Sequence, residues 1–330
     1  MRYYAHVGAG EASLLVHRRS IVRIVADEKA DPHLRARLAG ALEARRFASV
    51  HLGLPRNRSY TTYVDLGRPY ATWNVFATPE FSVDPVTHCF PLAGCVAYLG
   101  FFDRARAGRE AARLAAEGDD TAIEGAAAYS TLGWFADPIL SSMLRWDDDT
   151  LAGVIFHELA HQRVYLAGDT AFDESFATFV EQEGLREWRS ARGLPASDGE
   201  RAAHDEAFTG LVLDLRERLR TLYARELDAP AERDAKAAEI AAFRERYARL
   251  RAGWRNDDRY DAWLARPINN ARLVPFGLYD RWVTAFEALF AQSDRDWARF
   301  YARVEALAQL DSAGRARDLE ALAASPADRK

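Results

Sequence analysis

Several residue types are scarce in this sequence, and each scarcity closes a door. Cysteine occurs twice in 330 residues, at Cys89 and Cys95. A disulfide-built scaffold and a four-cysteine zinc module are therefore excluded. The pair itself reads either as two small core thiols or as a short-loop disulfide. Lysine occurs only at Lys29, Lys236 and Lys330, so nearly all of the 44 basic residues are arginine. Set against 49 acidic residues they leave a net charge of −5, which does not suit a partner held through its phosphates. No nucleic-acid partner is expected. No apolar run approaches the roughly 18 residues that a membrane-spanning helix needs. The opening residues, Met1 to His6, lack the charged, apolar and small-residue regions of a signal peptide. Twelve prolines and 20 glycines are too few for collagen-like or low-complexity chains. What is present is 49% hydrophobic and 12% aromatic content, enough to fill a core.

Along the chain the texture changes. Asp31-Pro32 is an N-cap and first-turn proline, followed by Leu34, Leu38 and Leu42 at helical spacing, so the first 50 residues read as helices. From Tyr60 to Phe102, β-formers such as Tyr63, Val64, Trp73 and Val75 are broken by Pro69, Pro79, Pro85 and Pro91, which predicts a small sheet. A helix follows over 103–117, closed by Gly118, and 121–135 reads as extended. Helices are expected at 150–166, 173–192, 199–227, 230–253, 269–291, 294–308 and 312–324. The fold class is α+β, predominantly α-helical. The body is drawn as one compact unit over 1–330, with 1–146 mixed helix and small sheet and 147–330 helical.

Residues 157–161 read His-Glu-Leu-Ala-His. On a helix, i and i+4 share a face, so His157 and His161 can offer two ring nitrogens to one ion. Glu158 sits beside them, placed to act as the base toward a water held by that ion. Chance would give such a pentapeptide roughly 0.015 times in a chain of this composition. The alternative is a pair of core histidines bonded to carboxylates.

A catalytic zinc needs a third protein ligand, and the spacing sorts the candidates. Val164 and Ala167 stand where a metzincin has its glycine and third ligand, which excludes that class. Glu174, 13 positions after His161 and beyond the turn at Gly168, can return on an antiparallel helix. Asp169 is a weaker candidate in that turn. Asp173 reads as the cap of the next helix or as a support for the ligands. Glu181, seven residues beyond Glu174, shares its face and can orient a ligand imidazole from behind.

The stretches His157-Glu-Leu-Ala-His-Gln162 and Glu174-Ser-Phe-Ala177 resemble the glutamate-zincins, whose third ligand is a Glu on the following helix. More narrowly, the chain resembles the bacterial family of "putative aminopeptidases". The matching segments are Tyr3-Tyr4-Ala, Cys89-Phe-Pro-Leu-Ala-Gly-Cys95, Ala128-Tyr-Ser-Thr-Leu-Gly133 with Asp137-Pro138, and Asn269-Asn270-Ala271. That resemblance implies a zincin-like fold and a peptide substrate. It implies one Zn2+ per chain on His157, His161 and Glu174, with Glu158 as catalytic base. It also implies a periplasmic location with a lipid anchor in a full-length precursor. The His161-to-Glu174 interval is shorter than in better-known aminopeptidase zincins, and the motif Gly-x-Met-x-Asn is absent.

On the substrate side, Tyr129, Ser130 and Thr131 lie where zincins pair a strand with the extended peptide. Tyr279, with Tyr129 behind it, is the candidate to stabilise the oxyanion. Glu124 is a weak candidate for binding a substrate amine, and Trp134 reads as core. The leading expectation is a zinc-dependent aminopeptidase. The alternatives are a metallo-endopeptidase or amidase, and a non-catalytic helical module with a structural metal.

Overall fold

The computed structural model describes residues 2–90, 94–128, 130–196, 199–225, 227–255, 257–277 and 281–324. The structure is mostly helical with small sheets, an α+β fold dominated by helix. The chain groups into two compact units built from interleaved segments. The first takes residues 1–72, 125–196 and 278–330, the second residues 73–124 and 197–277. The division drawn from sequence at 146/147 falls inside the first unit.

The first unit opens with α1 (Arg2–Val16), β1 (Arg19–Ser20), α2 (Ile21–Ala26) and α3 (Pro32–Val50). Asp31 caps α3 by accepting the Leu34 N–H at 2.7 Å, with Pro32 in the first turn where its missing N–H costs nothing. β2 (Thr62–Val64) is the middle strand of a small sheet. It pairs antiparallel with β1 and parallel with β8 (Ile139–Leu140). Two helices carry the candidate site: α5 (Asp148–His161) and α6 (Thr170–Ala191). The unit closes with α10 (Val283–Ala291), α11 (Trp297–Ala308) and α12 (Ser312–Ala323).

Helices α6, α10 and α11 share one aromatic core. Phe176 meets Phe286 and Phe300 at ring separations of 5.7 and 6.1 Å, and Phe179 meets Phe290 and Phe300 at 5.5 and 5.1 Å. Each fully buried ring of this kind contributes roughly 1.5–3 kcal/mol. That interior holds α6 by its apolar stripe and leaves the opposite stripe, with Glu174 and Glu181, for α5. The approach of the two helices depends on Gly184. A Cβ there would fall 2.7 Å from Leu52 Cδ1 and 3.1 Å from Phe156 Cδ2.

The second unit holds β3 (Thr72–Pro79), paired antiparallel with β6 (Tyr98–Phe101) and flanked by β7 (Asp119–Ala126). β4 (His88–Phe90) and β5 (Gly94–Val96) form a separate ribbon in which Cys89 lies opposite Cys95, and the two are joined as a disulfide. α4 (Arg104–Ala116) ends before Gly118, whose φ of +99° suits glycine. α7 (Gly199–Tyr223), α8 (Ala229–Ala252) and α9 (Asp261–Ala265) pack around Phe208, Leu215, Phe243 and Trp263.

Three expectations are corrected. The extended reading of 121–135 holds only through Ala126. Beyond it Asp137 takes the Thr131 N–H and hydroxyl at 3.0 and 2.6 Å, and Leu132, Gly133 and Ala136 adopt positive φ. The helix expected to 166 stops at His161. The Arg163 and Val164 N–H groups both turn back to the Ala160 carbonyl, and beyond them the Leu166 N–H is held at 2.8 Å by the Asp173 carboxylate, so the ladder does not resume. The single helix expected over 269–291 is a 3₁₀ stretch, Asn270–Gly277, and then α10, because Pro275 lacks the N–H that an α-helix interior requires.

Candidate metal centre

Asp147 starts α5 by accepting the Thr150 N–H at 2.7 Å, and Asp148 and Asp149 complement the helix dipole behind it. Three turns on, His157 and His161 stand one above the other, their rings 4.8 Å apart and nearly perpendicular. Their Nε2 atoms face each other at 3.1 Å. From α6, Glu174 Oε2 approaches His157 Nε2 at 3.3 Å and His161 Nε2 at 3.6 Å. Glu181, two turns along α6, meets His157 Nδ1 at 3.0 Å.

Proton bookkeeping shows what this arrangement suits. With Glu181 accepting the Nδ1–H of His157, the Nε2 lone pair of that ring points at a second imidazole nitrogen and a carboxylate oxygen. Ligand atoms of His157, His161 and Glu174 all lie within 4.8 Å of one another. Nδ1 of His161 is buried with no hydrogen-bond partner among the described residues. Three electron-pair donors meeting at one point call for a positive charge between them. Tetrahedral zinc at about 2.0–2.1 Å from each ligand needs ligand–ligand separations of about 3.3–3.4 Å. The observed 3.1, 3.3 and 3.6 Å bracket that value, so the residues present fit the ion.

The electrostatics agree. Burial disfavours the His157 cation, but hydrogen bonds to Glu174 and Glu181 more than reverse it and hold its pKa up at about 10. Burial works the other way on Glu174, where the bonds to His157 and His161 win and hold it down at about 2. The Glu158 carboxyl is pushed up, by burial first, with the two imidazoles opposing.

A family model described as "Putative aminopeptidase" matches residues 2–319. The chain belongs to this family. Neither the curated proteins nor the solved structures gave a match. The family's name points to a peptidase hydrolase, and the surroundings of the His pair in this aminopeptidase-family chain can be read with that in view.

Gly153 lies one turn before His157, and a Cβ there would stand 3.1 Å from Glu181 Oε1. The absent side chain leaves room for the carboxylate behind the imidazole. Sequence reasoning missed Gly153, although a glycine four residues ahead of the first histidine was a visible signal. Asp169 lies outside the cluster formed by His157, His161 and Glu174. It caps α6, accepting the Phe172 N–H at 3.1 Å, and pairs with Arg315. Asp173 is therefore not the cap. It is buried at 3% exposure, pushed up to about 8 by burial, and braces the α5–α6 turn through Leu166.

At the same C-terminal end of α5, Asp137 gathers two of the substrate-side candidates, Ser130 and Thr131. Its Oδ2 lies 3.3 Å from Ser130 Oγ and 3.5 Å from Gln162 Nε2. Ser130 and Thr131 thus spend their hydroxyls on Asp137 rather than presenting them in a strand. Tyr129 and Tyr279 lie outside the described residues. Glu124 belongs to the second unit, where Arg266 pairs with it at 3.1 Å. Trp134, expected in the core, is 72% exposed.

Tyr60 was missed altogether. It is fully buried, has φ of +62°, and its N–H donates to Asp137 O at 2.6 Å. Burial pushes its phenol well above the usual range, and the charge of Glu158 adds to that. No motif marks it in the sequence, because its importance comes from the folded position alone.

Proposed function

We propose that the chain is a zinc-dependent aminopeptidase of zincin-like fold. One zinc ion per chain sits on His157, His161 and Glu174, with Glu158 as general base. The observation that carries this reading is the convergence of three donor atoms at ligand spacing, with a carboxylate next to the first of them in sequence. Family membership supports the peptide substrate.

Zinc bound there supplies a Lewis acid, lowering the pKa of water to about 7 and polarising the scissile carbonyl. The remaining work belongs to the protein. Glu158 accepts the proton of the attacking water on a carboxylate oxygen and returns it to the leaving amine nitrogen. Its raised pKa suits the return step. Glu181 fixes the His157 tautomer, keeping the Nε2 lone pair aimed into the site. Tyr279 is assigned the developing oxyanion, and residues 129–131 the peptide. With the Ser130 and Thr131 hydroxyls and the Thr131 N–H engaged by Asp137, that contact runs through the remaining backbone groups. A periplasmic location, lipid-anchored in a longer precursor, is part of the proposal. The Cys89–Cys95 disulfide supports an oxidising compartment. No helix among the described residues is long and apolar enough to cross a membrane.

The test is metal per chain in the purified protein beside His157→Ala and Glu158→Gln. The expected result is one zinc, lost in the first variant and retained without turnover in the second. Peptides with free and acetylated N-termini then separate an aminopeptidase, which needs the free amine, from an endopeptidase or amidase. A protein that takes up no zinc in any form sinks the catalytic reading. Zinc without hydrolysis leaves a structural-metal module.

A further inference from the structure

We infer that Arg315, on the last helix of the first unit, is a positioning residue for Glu174. The inference rests on the metal-site reading above. Its side chain is 7% exposed, and each guanidinium nitrogen has a defined acceptor. Nε and Nη2 donate to Asp169 Oδ2 at 2.9 and 2.7 Å, and Nη1 donates to the Leu310 carbonyl at 2.7 Å. The guanidinium also lies 5.6 Å from the centre of the Phe172 ring.

Asp169 divides its carboxylate between two tasks. Oδ2 is held by Arg315, while Oδ1 accepts the Phe172 N–H and begins α6. Phe172 is fully buried and packs edge-on against Phe286 of α10, 5.4 Å between ring centres. The first turn of α6 is thus gripped at its cap and at its first large side chain. Glu174 stands one turn further on, and Asp173 between them ties the turn back to Leu166. Rotating or raising that turn by a fraction of an ångström moves Glu174 Oε2 relative to both imidazoles.

An ion pair with one buried and one half-buried partner is weak evidence for stability, because desolvation offsets much of the attraction. Its best-attested use is to fix a register, and here it fixes the register of the element that bears the third ligand. Arginine suits the task better than lysine, since a rigid fork can hold a carboxylate and a carbonyl at once.

The experiment measures zinc affinity by chelator competition in Arg315→Met, Arg315→Lys and Leu319→Ala, at a temperature where circular dichroism shows all of them folded. Leu319 is buried on the same helix but touches none of these groups in hydrogen bonding, so its truncation reports what loss of stability alone does. The expected result is zinc binding weakened at least tenfold in Arg315→Met, partly recovered in Arg315→Lys, and within twofold of the parent in Leu319→Ala. Equal weakening in Arg315→Met and Leu319→Ala, or none in either Arg315 variant, overturns the inference. If Arg315→Met does not fold, the Lys variant against Leu319→Ala decides alone. A parent protein that binds no zinc defeats the metal reading, and the inference falls with it.

Discussion

Replacing Gly153 with Ala sets two effects of opposite sign against each other. Glycine in the middle of a helix is about 0.5–1 kcal/mol less favourable than alanine, so the backbone gains from the change. The new methyl, however, would lie 3.1 Å from Glu181 Oε1 and 3.2 Å from its Cγ, so the carboxylate must yield by a few tenths of an ångström. Its bond to His157 Nδ1, now 3.0 Å, lengthens past good hydrogen-bond geometry. Loss of such a partner behind a ligand histidine typically costs 10–100-fold in metal affinity. Because the bond is strained rather than deleted, the expected loss is about tenfold, near 1.4 kcal/mol. Calorimetric unfolding of the metal-free protein and chelator competition for zinc read the two effects separately. The expected pattern is a midpoint unchanged or raised by about 1–3 °C together with weaker zinc. A stabilised variant with parental zinc affinity would refute the argument that Glu181 tunes the site and that Gly153 exists to admit it.

Gly184→Ala works against the same helix pair without touching a ligand. Overpacking against Leu52 and Phe156 outweighs the propensity gain, and a net destabilisation of about 1–2 kcal/mol should appear in thermal unfolding. The pH dependence of the metal-free protein has a defined sign. His157 is raised from 6.5 to about 10, so its contribution is complete below 6.5 and is lost as pH climbs toward 10. Glu174 is lowered from 4.5 to about 2, so its contribution is complete above 4.5 and is lost as pH falls toward 2. The pair is one shared interaction, and metal-free stability measured by denaturant titration should peak between about pH 4.5 and 6.5. Zinc must displace the shared proton, so calorimetry in buffers of different ionisation enthalpy at pH 7 should show about one proton released per ion. Opening the short Cys89–Cys95 loop by Cys89→Ser with Cys95→Ser should cost at most about 2 kcal/mol by the chain-entropy argument and leave zinc content unchanged.

The parts of the fold legible in the sequence are those set by local chemistry. Asp31-Pro32 starts α3 and Gly118 follows α4, as a cap, a fixed φ and a free φ require. The His157, His161 and Glu174 cluster was legible because helical geometry converts spacing into proximity. What escaped is what side chains impose from a distance. Asp173 holds the turn after α5 by taking the Leu166 N–H, and Asp137 folds 130–137 into a loop. Neither effect has a periodic signature. Tyr60 stands 98 positions before Glu158, and Arg315 stands 146 after Asp169, so only the tertiary fold relates them.

Interleaving has a consequence for the order of events during synthesis. The first unit is assembled from three stretches, the last beginning at residue 278. The proposed ligands His157, His161 and Glu174, and Glu181 behind them, all precede residue 197, yet the aromatic partners on α10 and α11 and the arginine on α12 follow only after the whole of 197–277 has been made. At ordinary elongation rates that interval is on the order of ten seconds. During it the histidines and carboxylates exist without the scaffold that brings them into register. On the metal-site reading, the ability to hold zinc therefore awaits the final helix.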